Sequence, residues 1–403
     1  MVQGEAVLVL DLGNSSTKVT VMFGKDAQSG KYRERTLDLS NVFAPIEEDY
    51  EVSSDYNDST STILRVNTEL NGVPIVGNYC NGELQAKERP LATIKPSAVK
   101  RKWELDATVL SVRLAFLQAY RALMSMQRVT DYSQVDVKWK VVTLLPPGDI
   151  DVGKDKLKEL IMKVDTVDSV FPEMHFDVDI TAVSVLPEGY CAYASLVYDK
   201  GRVFREGYSY LKDDTVLVFD IGAGTTDCML IKENTLVQRS KHTVNQGGIN
   251  VFNIVRQELR LDGIDIDTED LERGLVKGFI KDGAKSMSIV DYVNKAKNTV
   301  ATKIVSDFQD YLSISDIKMR SVGAIIVSGG GSMSDSECPE IDTLGNKITA
   351  AVKQLAPNAE LVKLPKVSKR VTDEETGDSK VIEEELSPRL LNLIGASILA
   401  EVM

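Results

Sequence analysis

Two stretches of the sequence each place a carboxylate at the end of an apolar run and follow it with glycines and hydroxyl side chains. Asp11 ends the run VLVL in residues 7–22, and Asp220 ends the run VLVF in residues 216–231. The runs are short and rich in β-branched residues, which is typical of buried strands. Glycine tolerates positive φ and close approach, so we predict tight turns between the runs. The turn residues are Gly13, Asn14, Ser15, Ser16, Thr17 and Lys18 in the first stretch and Gly222, Ala223, Gly224, Thr225, Thr226 and Asp227 in the second.

The chemistry that suits these turns is phosphate binding. Backbone N–H groups that no side chain shields, together with hydroxyls, make a good cradle for phosphate oxygens. A carboxylate facing phosphates needs a cation between them, and Mg²⁺ held partly through water is the usual one. The pattern therefore predicts Mg²⁺ held by Asp11 and Asp220. The alternative is a pair of ordinary β-hairpins with polar turns.

A third carboxylate follows a proline at the end of another apolar run. Residues 180–194 read ITAVSVLPEGYCAYA, so Glu188 lies between a strand pattern and a helix of small residues. An acid at this end of a helix stabilises the macrodipole. A catalytic role can coexist with this one, and Glu188 joins Asp11 and Asp220 as the catalytic candidates.

Glycine pairs and triplets mark two further turns. Residues 322–333 read VGAIIVSGGGSM, a strand pattern that runs into Ser328, Gly329, Gly330 and Gly331. Bare backbone of this kind lets a flat ligand lie close to the chain, and the alternative is a flexible connection between strand and helix. Gly247 and Gly248 open a predicted helix that carries apolar residues on one side.

The remaining patterns predict the elements that position these residues. Apolar side chains at helical spacing indicate helices over residues 106–126, over 157–164 and after 341, and residues 137–145 form a strand pattern. Residues 262–312 are helix-rich, with a predicted buried stripe. The last predicted helix, 388–402, carries small residues that would let another helix cross it closely. Strands alternating with helices predict an α/β fold.

Composition excludes several classes of protein. The chain has 403 residues and a net charge of −13, which argues against nonspecific binding to DNA or to an anionic membrane. Its four cysteines lack C-x-x-C spacing, and its two histidines make histidine-based catalysis improbable. No signal-peptide pattern precedes the first strand, and no apolar run approaches the roughly 20 residues that span a bilayer. We expect a cytoplasmic protein.

The two acid-and-glycine turns resemble the phosphate-1 and phosphate-2 motifs of the actin, Hsp70 and sugar-kinase superfamily. Residues 322–333 resemble its adenosine motif, and residues 180–194 and 388–402 resemble its two connecting helices. Neither turn fits a Walker A or a Rossmann sequence. The resemblance implies two duplicated α/β domains, residues 1–190 and 191–403, that hold nucleotide in the cleft between them. Small inserts are expected at about 37–100 and 262–312.

The resemblance also implies roles for individual residues. Glu188 would orient the water that attacks the γ-phosphate, Lys18 would contact the β-phosphate or be structural, and Gly247 and Gly248 would approach ribose and phosphates. The glycine-rich turn at 328–331 would lie against the base. Asn294 and Lys297 would contact adenine and ribose, although a solvent-facing lysine is an equal alternative. The ligand would be ATP with Mg²⁺, and GTP is not excluded.

The segment Leu186-Pro187-Glu188-Gly189 is similar to the Pro-Glu pair of ParM-type plasmid-segregation actins. That resemblance implies an ATPase that forms head-to-tail filaments, disassembles after hydrolysis, and contacts DNA through a ParR-like adaptor without direct nucleic-acid or membrane binding. The alternatives in the superfamily are a sugar or acid kinase and a chaperone-type ATPase. A kinase would need an aspartate base, and nothing after the predicted ATPase core resembles a peptide-binding domain.

Two charged segments fit no motif. Residues 95–102 form a basic cluster, interpreted as a solvated face or, alternatively, as a protein contact. Residues 369–385 are predicted to form an exposed β-hairpin, with a filament contact as a further role.

Overall fold

The computed structural model describes residues 2–14, 16–25, 32–47, 61–82, 93–97, 100–282, 285–315, 317–332, 337–372 and 379–403. The strands are β1 (Val2–Leu12), β2 (Ser16–Lys25), β3 (Tyr32–Ser40), β4 (Phe43–Ile46), β5 (Ser61–Leu70), β6 (Val73–Gly82), β7 (Val135–Leu145), β8 (Thr166–Phe171), β9 (Glu173–Asp177), β10 (Asp179–Pro187), β11 (Tyr198–Asp199), β12 (Val203–Phe204), β13 (Thr215–Ile221), β14 (Thr226–Lys232), β15 (Thr235–Leu236), β16 (His242–Val244), β17 (Phe279–Asp282), β18 (Lys285–Ser288), β19 (Ala324–Ser328), β20 (Glu360–Leu361), β21 (Lys366–Thr372) and β22 (Ser379–Glu385).

The α-helices are α1 (Asp106–Gln127), α2 (Ile150–Met162), α3 (Tyr190–Val197), α4 (Gly248–Leu261), α5 (Thr268–Lys277), α6 (Val290–Ile314), α7 (Leu344–Leu355) and α8 (Leu391–Ala400). Short 3-10 turns at Lys102–Glu104, Pro147–Asp149 and Pro388–Leu390 precede α1, α2 and α8. Among the residues that the structure describes, none of the helices combines the length and the apolar character needed to cross a bilayer.

Two main sheets repeat one design. The first has the order β10-β7-β1-β2-β3, and the second has the order β15-β14-β13-β19-β20. In each sheet an antiparallel hairpin, β1–β2 or β13–β14, continues into parallel pairs, β1–β7–β10 or β13–β19–β20. The predicted duplication of a strand–turn–strand unit is therefore confirmed. The parallel strands are buried on both faces, which explains their continuous apolar runs.

The two hairpins place their acids opposite different partners. Asp11 is paired in register with Lys18, and Asp220 is paired in register with Asp227. Both acids stand one residue before the last residue of their strand, so both carboxylates come to the same kind of turn.

Helices α3 and α8 share one apolar core with both main sheets. This core contains Val9 and Val142 of the first sheet, Val218 and Ile326 of the second, and most of α3 and α8. At the crossing of the two helices, a Cβ added to Gly395 would overlap the carbonyl oxygen of Cys191. The predicted close crossing through small residues is thus confirmed, and it joins the two halves of the fold.

A separate five-stranded sheet has the order β4-β6-β5-β8-β9, called here the small sheet. Its first three strands come from residues 43–82, within the predicted insert at about 37–100. Its last two strands come from residues 166–177, after α2, and sequence analysis did not predict them. Long-range pairing such as β5–β8 cannot be read from local periodicity, and β8 and β9 are short and only partly buried.

Helices and short hairpins fill the other predicted segments. The buried stripe of α6 is confirmed, since its members are all buried: Ile289, Val293, Ala296, Val300 and Ile304. Residues 366–372 and 379–385 pair as the antiparallel hairpin β21–β22 predicted at 369–385, although its turn lies outside the described residues. The predicted helix at 157–164 corresponds to α2, which ends at Met162, and Val164 is buried just after it.

Candidate functional site

The end of β10, the end of β13 and the start of β14 bring Glu188, Asp220 and Asp227 to one cleft. Asp220 and Asp227 face each other across the β13–β14 hairpin, and Glu188 follows β10 directly. The amide of Glu188 is held by the carbonyl of Leu145, at the end of the neighbouring β7, at 2.8 Å. Parallel strands end at the same edge of a sheet, so a residue after β10 reaches the same cleft as the turn after β1.

Three carboxylates converge. One oxygen each of Glu188, Asp220 and Asp227 lies within 4.8 Å of the other two, and all three residues are buried. Asp227, predicted as a phosphate-loop residue, therefore belongs with the acids. Asp11 lies outside this group of three; its carboxylate is 3.6 Å from the Lys18 ammonium. Buried oxygen ligands at this spacing fit a hard divalent cation such as Mg²⁺.

Burial and mutual repulsion disfavour ionisation of these acids. Burial raises the pKa of Asp220 to about 7, and the charge of Glu188 adds to this shift. Burial also raises the pKa of Asp227, well above its ordinary value, and Glu188 again contributes. Carboxylates crowded in this way are stabilised as ions by a cation placed among them. The cluster therefore has the electrostatics of a cation site.

A lysine that sequence reasoning placed on a solvated face lies inside the cleft. The Lys102 ammonium donates a hydrogen bond to Glu188 Oε1 at 2.5 Å, and both side chains are nearly enclosed. Burial alone would lower the pKa of Lys102, but the carboxylates of Glu188 and Asp11 more than offset this and raise it. Burial raises the pKa of Glu188, Asp11 adds to the shift, and Lys102 opposes it. The interpretation of residues 95–102 as a solvated cluster is wrong for Lys102.

Asp220 is fixed by two neutral side chains. Ser328 Oγ donates to Asp220 Oδ1 at 2.9 Å, and Asn392 Nδ2 donates to Oδ2 at 2.6 Å. The Asn392 amide oxygen accepts from the backbone N–H groups of Gly189 and Ala192. One side chain on α8 thus joins the second hairpin to the start of α3, beside Glu188.

The glycine turns pack against one another through backbone. Gly248 N donates to Gly222 O at 3.1 Å, and Ile249 N donates to Ala223 O at 2.7 Å. A Cβ added to Gly247 or Gly331 would come within 2.6 or 2.7 Å of Gly222 O. Gly329 has a φ of +86° and donates its N–H to Pro388 O at 3.1 Å. Side chains would push these loops apart, so the glycines let the backbone alone form this wall of the cleft.

The other predicted site residues are placed as follows. Asn14 and Ala223 are exposed at the loop tips, and Gly330 is exposed with open space where a side chain would be. Ser16, Thr17 and Thr226 are buried, and Thr226 Oγ1 donates to Gln246 O at 2.8 Å. Gly13, Gly222, Gly224 and Thr225 are half-buried in the two turns, and Ser15 lies outside the described residues.

Asn294 and Lys297 of α6 bond to a neighbouring loop. Asn294 Nδ2 donates to Glu340 O at 2.9 Å, and Lys297 Nζ donates to Asp342 O at 2.6 Å. Asn294 Oδ1 also accepts from the amide of Asp342. These bonds tie α6 to the segment before α7, and contact of either residue with a base stays a prediction.

Comparison with known proteins gives the fold a family context. Residues 218–335 match the family model for the C-terminal domain of archaeal MreB-like actin homologues. The actin-like protein Alp7A superposes with a TM-score of 0.64 at 15% identity, covering 98% of this chain and 95% of that one. ParM from a 15-stranded filament of Clostridium botulinum superposes with a TM-score of 0.59 at 17% identity, covering 99% of this chain and 100% of that one. The archaeal actin homologue Ta0583 in complex with ADP superposes with a TM-score of 0.60 at 15% identity, also covering 99% of this chain and 100% of that one.

The chain has the actin-like fold. The predicted fold class is confirmed, and the predicted resemblance to the actin superfamily is borne out by the family match over residues 218–335 and by the actin homologues, ParM among them, with which the chain superposes. No curated protein matches the sequence.

Sequence reasoning missed two side chains that organise this actin-like site. Asn392 did carry a signal, because it is a polar residue on a helix, LNLIGASILA, that is mostly buried and apolar. Lys102 carried none, because a lysine beside Arg101 and Lys100 is usually exposed.

Replacing Asn392 with leucine is expected to destabilise the fold by about 2–4 kcal/mol, because it removes the charge-assisted bond to Asp220 and leaves two buried N–H groups unpaired. Chemical denaturation of the variant measures this change. Ser397→Ala on the same helix is the control, since Ser397 Oγ donates to Leu393 O within α8 in the described part of the chain. Equal stability of the two variants would show that the Asn392 bridge contributes little.

Proposed function

We propose that the chain is a cytoplasmic actin-like ATPase that assembles into filaments with Mg-ATP, disassembles after hydrolysis, and moves DNA through a ParR-like adaptor. The observation that carries the ATPase part is the convergence of Glu188, Asp220 and Asp227 beside the glycine turns. A cluster of buried carboxylates next to backbone-lined loops suits a nucleotide whose phosphates are bridged by a cation.

The charges of the cleft support a bound cation. Four carboxylates, on Asp11, Glu188, Asp220 and Asp227, face two ammonium groups, on Lys18 and Lys102. If all four carboxylates were ionised without a metal, they would repel phosphates. Asp220 and Asp227 would hold Mg²⁺, with Asp11 acting through water, and the ion would supply positive charge where phosphate oxygens come close.

The turns would hold the nucleotide. The turn at 13–18, including Ser15, and the turn at 222–227 would bind phosphates from two sides, with Lys18 beside the β-phosphate. Gly247 and Gly248 would approach the ribose, and the base would lie along Ser328–Gly331, near Asn294 and Lys297. ATP is the proposed ligand, with GTP as the alternative.

Glu188 would act on the attacking water. Its Oε1 accepts from Lys102, so Oε2 is the oxygen left to orient a water and receive its proton. Proton acceptance by a positioned carboxylate contributes about 10²–10⁴-fold to a rate. A kinase would instead present a base to a substrate hydroxyl.

We divide the chain into two domains, residues 1–190 and 191–403, each with a small insert at about 37–100 or 262–312. The division falls after Tyr190, the first residue of α3 and two residues beyond Glu188. Closure of the two halves around nucleotide would couple hydrolysis to a change of shape.

The filament part draws on the structural neighbours. One of them is ParM in a 15-stranded filament, and another is described as a non-polymerisable ParM mutant. A net charge of −13 favours contact with DNA through an adaptor over direct binding.

Light scattering at 90° with sedimentation tests the proposal. Purified protein is mixed with Mg-ATP, Mg-GTP, Mg-ADP, ATP with EDTA, or no nucleotide, over a concentration series, while released phosphate is recorded. We expect a rise in scattering with Mg-ATP that decays as phosphate is released, and no rise with EDTA.

Phosphate release without any rise in scattering would contradict filament assembly and leave an ATPase of the chaperone type. Phosphate transfer to an added sugar or carboxylic acid would favour the kinase alternative. Absence of both nucleotide binding and hydrolysis would contradict the whole proposal.

A further inference from the structure

Three consecutive side chains before α1 contact α2 and the acid cluster. Arg101 forms an ion pair with Asp149, Lys102 bonds to Glu188, and Trp103 packs on α2. The segment is therefore fixed between α2 and Glu188.

The ion pair between Lys102 and Glu188 is largely shielded from solvent, unlike an ion pair on the surface. Its side chain is 14% exposed and that of Glu188 is 11% exposed, with 2.5 Å between Nζ and Oε1. Exposed pairs contribute little, but a buried pair that loses one member leaves an uncompensated charge. Within the described part of the chain, Lys102 is the side chain that donates a hydrogen bond to the Glu188 carboxylate. The carboxylate therefore depends on Lys102 for its orientation.

Trp103 sets the position of Lys102. The ring is buried against the backbone of α2, and a Cβ added to Gly153 would overlap it. The Lys156 ammonium lies 5.6 Å from the ring centroid on the same side of α2. Since Lys102 precedes Trp103 directly, this packing fixes the backbone from which the Lys102 side chain reaches Glu188.

We propose that Lys102 is the positioning residue for Glu188, held in place by Trp103 on Gly153. This inference rests on the proposed ATPase function. It predicts that loss of the Lys102 ammonium slows hydrolysis without a change in nucleotide contacts.

The test is a double-mutant cycle on the full chain. The variants are Lys102→Met, Lys102→Arg, Glu188→Gln and the double variant Lys102→Met/Glu188→Gln, with the exposed Lys100→Met as the matched control. We expect Lys102→Met to lower kcat by about 100-fold and to change the dissociation constant of the nucleotide by less than about threefold. The kcat of Lys102→Arg should be at least about tenfold higher than that of Lys102→Met, because arginine keeps the positive charge.

The double variant decides the mechanism. If Lys102 acts through Glu188, Lys102→Met/Glu188→Gln is no slower than Glu188→Gln alone. The inference would be overturned if the double variant lost kcat by the product of the two single losses. It would also be overturned if Lys102→Arg were as slow as Lys102→Met, because the charge of Lys102 would then not matter.

Thermal unfolding gives a readout that needs no activity. Lys102→Met should lower Tm, and adding Glu188→Gln to it should raise Tm again, because the uncompensated charge is removed. The wild-type protein could fail to hydrolyse nucleotide while Glu188→Gln still restores the Tm that Lys102→Met lowers. The proposed function would then be wrong, and the Lys102–Glu188 pairing would be supported. Independent Tm changes would overturn the pairing itself.

The role of the Trp103 packing is tested by Gly153→Ala, which forces the ring away from α2. It should lower kcat in an otherwise wild-type chain and have no further effect in the Lys102→Met background. An equal effect in both backgrounds would show that the packing does not act through Lys102.

Discussion

Glu188→Gln is expected to slow nucleotide hydrolysis by about 100-fold or more and to leave filaments that assemble with Mg-ATP and persist. Glutamine has the same shape, so it can occupy the same position beside the cluster of Asp220 and Asp227. It cannot accept a proton from water, and it removes one negative charge from a cleft that has an excess. Nucleotide binding should therefore be retained while the chemical step is lost.

Phosphate release and the decay of light scattering, measured in one sample, check this expectation. Glu104→Gln is the matched control, because Glu104 is exposed and lies outside the acid cluster. Hydrolysis at the wild-type rate in Glu188→Gln would contradict the assignment and move attention to Asp11. Filaments that decay as fast as those of wild type would separate disassembly from hydrolysis.

Gly395→Val is expected to prevent folding or to destabilise the chain by more than about 4 kcal/mol. The α8 backbone at Gly395 crosses α3 at the carbonyl of Cys191, where even one methyl group has no room. Overpacking is relieved only by separating the helices. Because α3 and α8 share a core with both main sheets, separation would disturb both halves together.

Soluble expression and guanidinium denaturation measure this effect, with Gly395→Ala as an intermediate step. Lys353→Val places the same β-branched side chain at an exposed position of α7 and should cost only the difference in helix propensity, below about 1 kcal/mol. A folded Gly395→Val with near-normal stability would show that the helices can separate without loss of the shared core.

Local patterns in the sequence were sufficient for most of the framework. Asp11 and Asp220 end apolar runs that form buried strands, and the glycines after them are needed for turns. Glu188 follows a proline between a strand pattern and a helix of small residues. Such signals depend on neighbours in the chain, so they can be read without knowing which strands pair.

The contacts that organise the site could not be read in this way. Lys102 and Glu188 are 86 positions apart, and Asn392 and Asp220 are 172 positions apart. Each contact exists only because the sheets and helices bring distant segments together. A lysine in a basic cluster gives no local sign that it is buried. Likewise, β8 and β9 join the small sheet by pairing that their own residues do not encode.

The duplicated hairpins carry unlike residues opposite the acid at the strand end, and this difference gives the cleft a direction. In the first hairpin the carboxylate of Asp11 faces the ammonium of Lys18, so the two charges balance. In the second, Asp220 faces Asp227, so two carboxylates repel each other. Two units that share a fold are therefore electrically unlike: the first balances its charge within the hairpin, and the second does so only with a bound cation or proton. A ligand that carries an anionic chain with a cation on one side would meet matching charges in one orientation and repulsion in the reverse.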